Sequence, residues 1–424
     1  MRAATFNGSG MSWHRRIAGL LAAAALAALA QAPPAEKIRA LTADVSRITG
    51  FEIRKPIPVE TLTREQWKRY VEREIEREAR PEEIEADQTV LRLLGLVPRE
   101  FDLRKTTIEL LAEQAAAVYD HRRKRMLLLE DGAGGGIEDA VLVHELAHAL
   151  ADQHYSMKKF LDKGAPTGEQ QAARLAVVEG QAMWVMLEWQ LSRTGLGSIA
   201  GNRPALEKML PALGSLAAAS YPVFGTAPLY MQETLLFPYT AGVLFQQAAV
   251  ERFGPRAFRK VLEQPPQTTH EILHPERWLD GSRYEAPPAP VAEPESEYKP
   301  VSAGVLGELD LRVLLKQYCG EDAAARLAPM WRGGSYELLE HKPTRRPALR
   351  WALGFAEDRA ALAFTDCYRT VLERKSESLA WKAVRPGLLE GSNSDGRFRV
   401  EARAGAVAGL EAAQPPSAQK RQAM

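Results

Sequence analysis

The chain has 424 residues, long enough for one large hydrophobic core or two modest ones. Hydrophobic residues make up 46% and charged residues 26%, which excludes a wholly disordered or fibrous chain. Against 55 basic residues stand 54 acidic ones, a formal charge of +1, so no global field argues for nucleic acid or an anionic membrane as partner.

The N-terminus reads as a secretory signal. His14-Arg15-Arg16 precedes the apolar run Ile17–Ala30, which closes on Ala28-Leu29-Ala30 ahead of Pro33 and Pro34. A basic region, a short apolar run and an Ala-x-Ala end predict cleavage after Ala30 and a periplasmic or secreted chain. The run is short for a membrane anchor, and no other stretch approaches the ~20 apolar residues of a spanning helix, so no stable membrane span is expected after cleavage.

Residues 31–130 read as a mostly helical region ending in a strand. Thr63–Arg80 predicts a charged helix with Trp67, Tyr70, Val71 and Ile75 on one side, stopped or kinked at Pro81. Leu91–Leu96 and Ile108–Ala117 continue the helical pattern, with breaks at Gly95 and Pro98. The basic run His121–Arg125 reads as a solvated turn between helix and strand. Arg125–Glu130 reads as a short strand whose edge could pair with an extended peptide. The Gly-rich stretch 131–136 lacks the Lys and Ser/Thr of a phosphate loop and reads as a connector.

Residues 131–284 carry the chemistry. Within the apolar helix 137–163 lies His144-Glu145-Leu146-Ala147-His148, an H-E-x-x-H. Four residues advance a helix by about 400°, so the two imidazoles project from nearly one face and can share a Zn²⁺, with Glu145 as general base. The second apolar helix, 169–193, holds Glu179 in its apolar middle, where a lone charge is costly unless paired or metal-bound. His144, His148 and Glu179 therefore form a candidate His₂Glu site with one position open, the catalytic pattern. Glu188, further along, is the rival third ligand. Gly180 removes a side chain where two helices could approach closely. His270, His274 and Tyr239 are candidate donors to an oxyanion, His274 foremost, although a cap or packing histidine is an equal reading. Asp152, one turn beyond His148, could orient an imidazole; His154 breaks the spacing and is expected outside the site.

Leu206–Ala219 and Tyr230–Phe253 read as further helices, the second with a possible kink at Phe237-Pro238-Tyr239 and a stop at Gly254-Pro255. Residues 285–300 read as a Pro-rich linker. In the C-terminal α+β region, 301–411, Gly304–Tyr318 and Glu357–Glu373 read as helices and Arg397–Ala402 as a strand. Residues 412–424 read as a disordered tail. Cys319 and Cys367 are an even pair in an exported chain, hence a candidate disulfide that spacing alone does not decide. The expected class is mostly α, within α+β.

The run His144–His154 followed by Val177-Val178-Glu179-Gly180-Gln181-Ala182 resembles the gluzincin zinc metallopeptidases. More narrowly, it resembles a bacterial exported group whose helices read HELxHALQDQ and xxEGDA. Val118-Tyr119-Asp120, Pro265 to His270-Glu271-Ile272-Leu273-His274-Pro275, Leu306-Gly307-Glu308 and Trp331 with Gly333 to Tyr336 fit the same group, over most of residues 50–400. Gln181 and Gly334 depart from it, standing where the group has aspartates. The resemblance implies a zincin-like helical core with a short strand element beside the zinc helix, one Zn²⁺ per chain, and a peptide or protein substrate. Two other classes compete: a catalytically silent zinc-containing envelope scaffold, and a metal-free helical protein carrying the motif by accident.

Overall fold

The computed structural model describes residues 33–114, 117–130, 139–163, 165–195, 197–282 and 297–414. The expected signal peptide, the Gly-rich connector and most of the Pro-rich linker lie outside them. No helix among the described residues is long and apolar enough to cross a membrane.

The fold is mixed α+β, with one continuous hydrophobic cluster reaching from Ile38 to Val407. The first layer contains α1 (Ala35–Thr49), strand β1 (Val59–Leu62), α2 (Arg64–Glu78), α3 (Pro81–Leu94) and α4 (Leu103–Gln114). Helix α2 starts where Thr63 and Gln66 form a reciprocal cap, and it buries Trp67, Tyr70, Val71 and Ile75. Pro81 does not merely stop it; it occupies the first turn of α3, where a missing N–H costs nothing. The β2–β3 hairpin follows (Ala117–Asp120 and Arg125–Leu129). Ala117, expected to end a helix, instead starts β2, so the basic turn 121–124 joins two strands.

These strands form a small sheet in the order β1-β3-β2, β1 parallel and β2 antiparallel to β3. Because β3 is central, it has no open edge for a substrate; the edge strand beside the site is β2. Next come α5 (Asp139–His154), a π-helical turn at Lys159–Lys163, and α6 (Gly168–Thr194). Ala140 through Asp152 of α5 are all buried, as expected of a helix apolar nearly all round.

The segment 206–219 splits into α7 (Arg203–Met209) and α8 (Pro211–Ser220), since Pro211 starts a new helix. After α9 (Pro222–Thr226) comes the long α10 (Leu229–Phe253), with Pro238 inside it. Three short helices follow: α11 (Ala257–Glu263), α12 (Thr269–Leu273) and α13 (Pro275–Leu279).

The C-terminal part is richer in strand than its sequence suggests. An antiparallel seven-stranded sheet runs β4-β5-β6-β10-β9-β8-β7, comprising β4 (Tyr298–Gly304), β5 (Trp331–His341), β6 (Pro347–Phe355), β7 (Ala380–Arg385), β8 (Leu388–Asn393), β9 (Gly396–Arg403) and β10 (Ala406–Ala413). Three expectations are corrected here. Pro300 belongs to β4 rather than to a linker. The helix expected from Gly304 begins only at Glu308, as α14 (Glu308–Cys319). Ala412 and Ala413 lie within β10 rather than in a tail, and Ala413 pairs with Arg397 past a bulge. Helices α15 (Glu321–Leu327) and α16 (Asp358–Lys375) complete the layer. Cys319 and Cys367 are joined as a disulfide, tying α14 to α16 with Cα atoms 6.1 Å apart.

Candidate functional site

Helices α5 and α6 bring His144, His148 and Glu179 to one point. His144 Nε2 lies 3.1 Å from His148 Nε2, and Glu179 Oε2 lies 3.2 Å and 3.3 Å from them respectively. Tetrahedral coordination with bonds of about 2.0–2.1 Å puts ligand atoms roughly 3.3 Å apart, so this triangle has the dimensions of one face of such a site. Hydrogen bonding alone accounts for it poorly, because three mutually close atoms would have to share two ring protons across a triangle. The site is deeply buried: side-by-side exposures are 4% for His144, 1% for Glu145, 9% for His148 and 2% for Glu179.

Glu179 can approach because its neighbour has no side chain. A Cβ on Gly180 would lie 2.1 Å from the Gly242 carbonyl carbon in α10, and one on Gly242 would lie 2.3 Å from Ala176 O. The close crossing expected at Gly180 is therefore present. Tyr239 stands three residues before Gly242, on the same face of α10. Its ring stacks on His144 at 6.3 Å between centroids. Burial first, then the charges of Glu179 and Glu145 and a hydrogen bond to Glu179, push its hydroxyl well above the usual tyrosine pKa. Tyr239 is thus a neutral donor at the site.

Glu145 is held by β2. Its Oε2 accepts from Tyr119 N at 2.5 Å, while its Oε1 is buried without a hydrogen-bond partner. Burial raises the Glu145 carboxyl to about 8; His144 and the Tyr119 N–H pull it down, and Glu179 pushes it up. Burial also raises Glu179, but the charge of His148 and hydrogen bonds with both imidazoles outweigh this and leave its pKa below the ordinary value.

Other expected residues lie elsewhere. Asp152 does not orient an imidazole; it accepts from Tyr119 Oη at 2.9 Å, Lys124 Nζ at 2.5 Å and Met157 N at 2.8 Å. It is one turn past His148, and by that point the helix faces the β2–β3 hairpin, whose lysine supplies the compensating charge. Glu188 accepts from Ser198 Oγ and Ile199 N, 2.8 and 2.9 Å away. Nine residues from Glu179 amount to two and a half turns, which places it on the opposite face. His154 stacks on Phe51 and reaches Glu52 O at 2.8 Å, outside the site as expected. Gln181 gives its amide to Phe258 O at 3.0 Å. At Gly334 a Cβ would meet Leu306 O at 2.4 Å, so an aspartate does not fit this strand.

His274, the foremost oxyanion candidate, is not at this site. It lies 3.1 Å by Nε2 from both Glu308 carboxylate oxygens, and His270 Nδ1 also contacts Glu308 Oε2. Helix α12 is held to the start of α6, where Glu169 accepts from Thr269 N and Oγ1 at 2.6 and 2.8 Å. Glu169 precedes Glu179 by ten residues, about 15 Å of helix. The sequence singles out His270, His274 and Glu308 separately but not as one cluster. Its signal was present, for His270-Glu271-Ile272-Leu273-His274 is itself an H-E-x-x-H, but it lacks the long apolar helix that draws attention to the first.

Comparison with models of known protein families, with curated proteins and with solved structures finds no match to the chain. The functional reading therefore rests on the residues themselves.

Proposed function

We propose that the chain is an exported zinc metallopeptidase with a zincin-like core of the gluzincin type, hydrolysing peptide bonds with Glu145 as general base. One observation carries this reading: three ligand atoms 3.1–3.3 Å apart, with an unpartnered Glu145 oxygen buried beside them. Two imidazoles and a carboxylate suit Zn²⁺, which supplies Lewis-acid polarisation of a carbonyl and a water acidified to near neutrality. Glu145 Oε1 accepts the proton of the attacking water and hands it to the leaving amine. Its other oxygen stays fixed by Tyr119 N, so the carboxylate turns little between the two transfers. Tyr239 Oη, kept protonated by its surroundings, donates to the oxygen on which charge develops. The disulfide between Cys319 and Cys367 supports an oxidising compartment, in keeping with the N-terminal signal.

A second reading, a zinc-containing envelope scaffold without turnover, is favoured by the burial of the site. A surface cleft of about 1020 Å³ is lined by residues such as Arg99, Tyr318, Arg374 and Lys375 rather than by the histidines. Retention of Glu145 favours the enzyme, since a general base serves no ligand role. The decisive experiment is zinc quantification with peptide-library cleavage by wild type and Glu145→Gln. The hydrolase reading expects both to hold zinc and only wild type to cleave; absence of cleavage by zinc-loaded wild type selects the scaffold.

A further inference from the structure

We propose that His270, His274 and Glu308 form a second, structural site for a divalent transition-metal ion, zinc by preference, independent of the first. Their ligand atoms, one from each residue, all lie within 4.8 Å of one another. The two imidazoles are 4.6 Å apart between centroids and converge on a single carboxylate. Glu308 is fully buried and His270 nearly so, whereas the His274 side chain is about a quarter exposed. A carboxylate so deeply buried is costly without a positive partner. Both imidazoles hydrogen-bond it, and a cation held between them would compensate its charge directly. His270 faces Glu308 through Nδ1, and its Nε2 is buried without a hydrogen-bond partner. Nδ1 is the ring atom that faces the carboxylate.

The surroundings aim this cluster. Glu308 opens α14 and follows a turn gripped by the sheet: Trp331 Nε1 donates to Leu306 O at 3.0 Å, and the Trp331 ring lies 5.5 Å from that of His270. Leu309 N and Glu169 both bond Thr269, which positions His270 beside the carboxylate. Two imidazoles with one carboxylate suit zinc and its neighbours in the first transition row better than calcium or magnesium. The partly open side at His274 leaves room for water as a further ligand.

The role is structural because the motif's glutamate is already engaged. Glu271 Oε2 accepts from Gln267 N at 2.7 Å, Thr268 N at 3.1 Å and Thr268 Oγ1 at 3.2 Å, completing a capping box. It is therefore not placed as a base. Nor can the two clusters act as a binuclear centre, whose ions sit about 3.5–4 Å apart; about 15 Å of α6 separates their anchoring residues. An ion here clamps the five-residue α12, too short to be stable alone, onto α14.

The test is metal stoichiometry of the full chain after zinc loading and gel filtration, in wild type, His148→Ala and His274→Ala. The expected values are two equivalents, one and one. A single equivalent in wild type that vanishes in His148→Ala and persists in His274→Ala overturns the proposal. A single equivalent lost only in His274→Ala supports it while removing the metal from the hydrolase reading. Should His274→Ala misfold, Glu308→Gln preserves the volume. In the His148→Ala background a chelator then lowers the thermal midpoint with Glu308 intact and leaves it unchanged with Glu308→Gln. Equal midpoints with and without chelator while Glu308 is intact overturn the structural role.

Discussion

His144–His148 and His270–His274 share one five-residue pattern, yet their glutamates have opposite fates. Glu145 sits well inside α5, beyond its first turn, where the backbone N–H groups are already committed to the helix. Its carboxylate therefore turns outward, takes one N–H from β2 and keeps an oxygen free. Glu271 occupies the third position of α12, where orphan N–H groups just before it demand an acceptor, and the helix start consumes it. The histidines diverge for the same reason. Both imidazoles of the first pair are on continuous helix and present Nε2; His274 has already left the helical conformation, and the second pair presents Nδ1 and Nε2. Position relative to the helix end, rather than the motif, separates a carboxylate with an unbonded oxygen from a cap.

That contrast can be broken most directly at the two glutamates. Glu145→Gln is expected to lower kcat on a cleaved peptide by about 10²–10⁴-fold with zinc retained; Glu271→Gln is expected to leave kcat unchanged. Equal losses from both would abolish the distinction. The next largest effect concerns the support of the second cluster. Opening the Cys319–Cys367 disulfide, which closes a separation of 48 residues, is expected to cost about 4 kcal/mol on the chain-entropy scale. Denaturant unfolding of the Cys319→Ser/Cys367→Ser chain measures it, and an unchanged midpoint would show that α14 does not depend on the bond. At the first site, Tyr239→Phe is expected to lower kcat by about 10²-fold with KM nearly constant. A change confined to KM would make Tyr239 a binding residue instead. The smallest effect is the cap: Glu271→Ala is expected to cost about 1 kcal/mol of stability without altering turnover. Thermal melts read it, and a loss of turnover would contradict the cap assignment.

The legible parts of the sequence were those with long range and strong contrast. Helices α5 and α6 are legible because long apolar runs free of proline carry two histidines and one misplaced carboxylate. Gly180 was legible as a close approach, though its partner Gly242 was not, because nothing local says which helix will cross there. The sheet was mostly hidden. Strand β8 reads Leu388-Leu389-Glu390-Gly391-Ser392-Asn393, and β10 is largely Ala and Gly, neither offering a clean two-residue alternation. Trp331–His341 offers only its Trp, Gly and Tyr as local signals, although Trp331 meets both Leu306 O and the His270 ring. Asp152, placed by helical spacing, and His274, placed by the resemblance, meet partners other than the first site.

By itself the sequence determined which faces two helices would bury and which imidazoles would share one of them, because helical periodicity is a local property of the chain. Only tertiary structure decided which carboxylate met each pair, whether each glutamate stayed free, and that Tyr239 rather than His274 faced the first. Those outcomes depend on contacts between residues 26 to 95 positions apart, which no local pattern encodes.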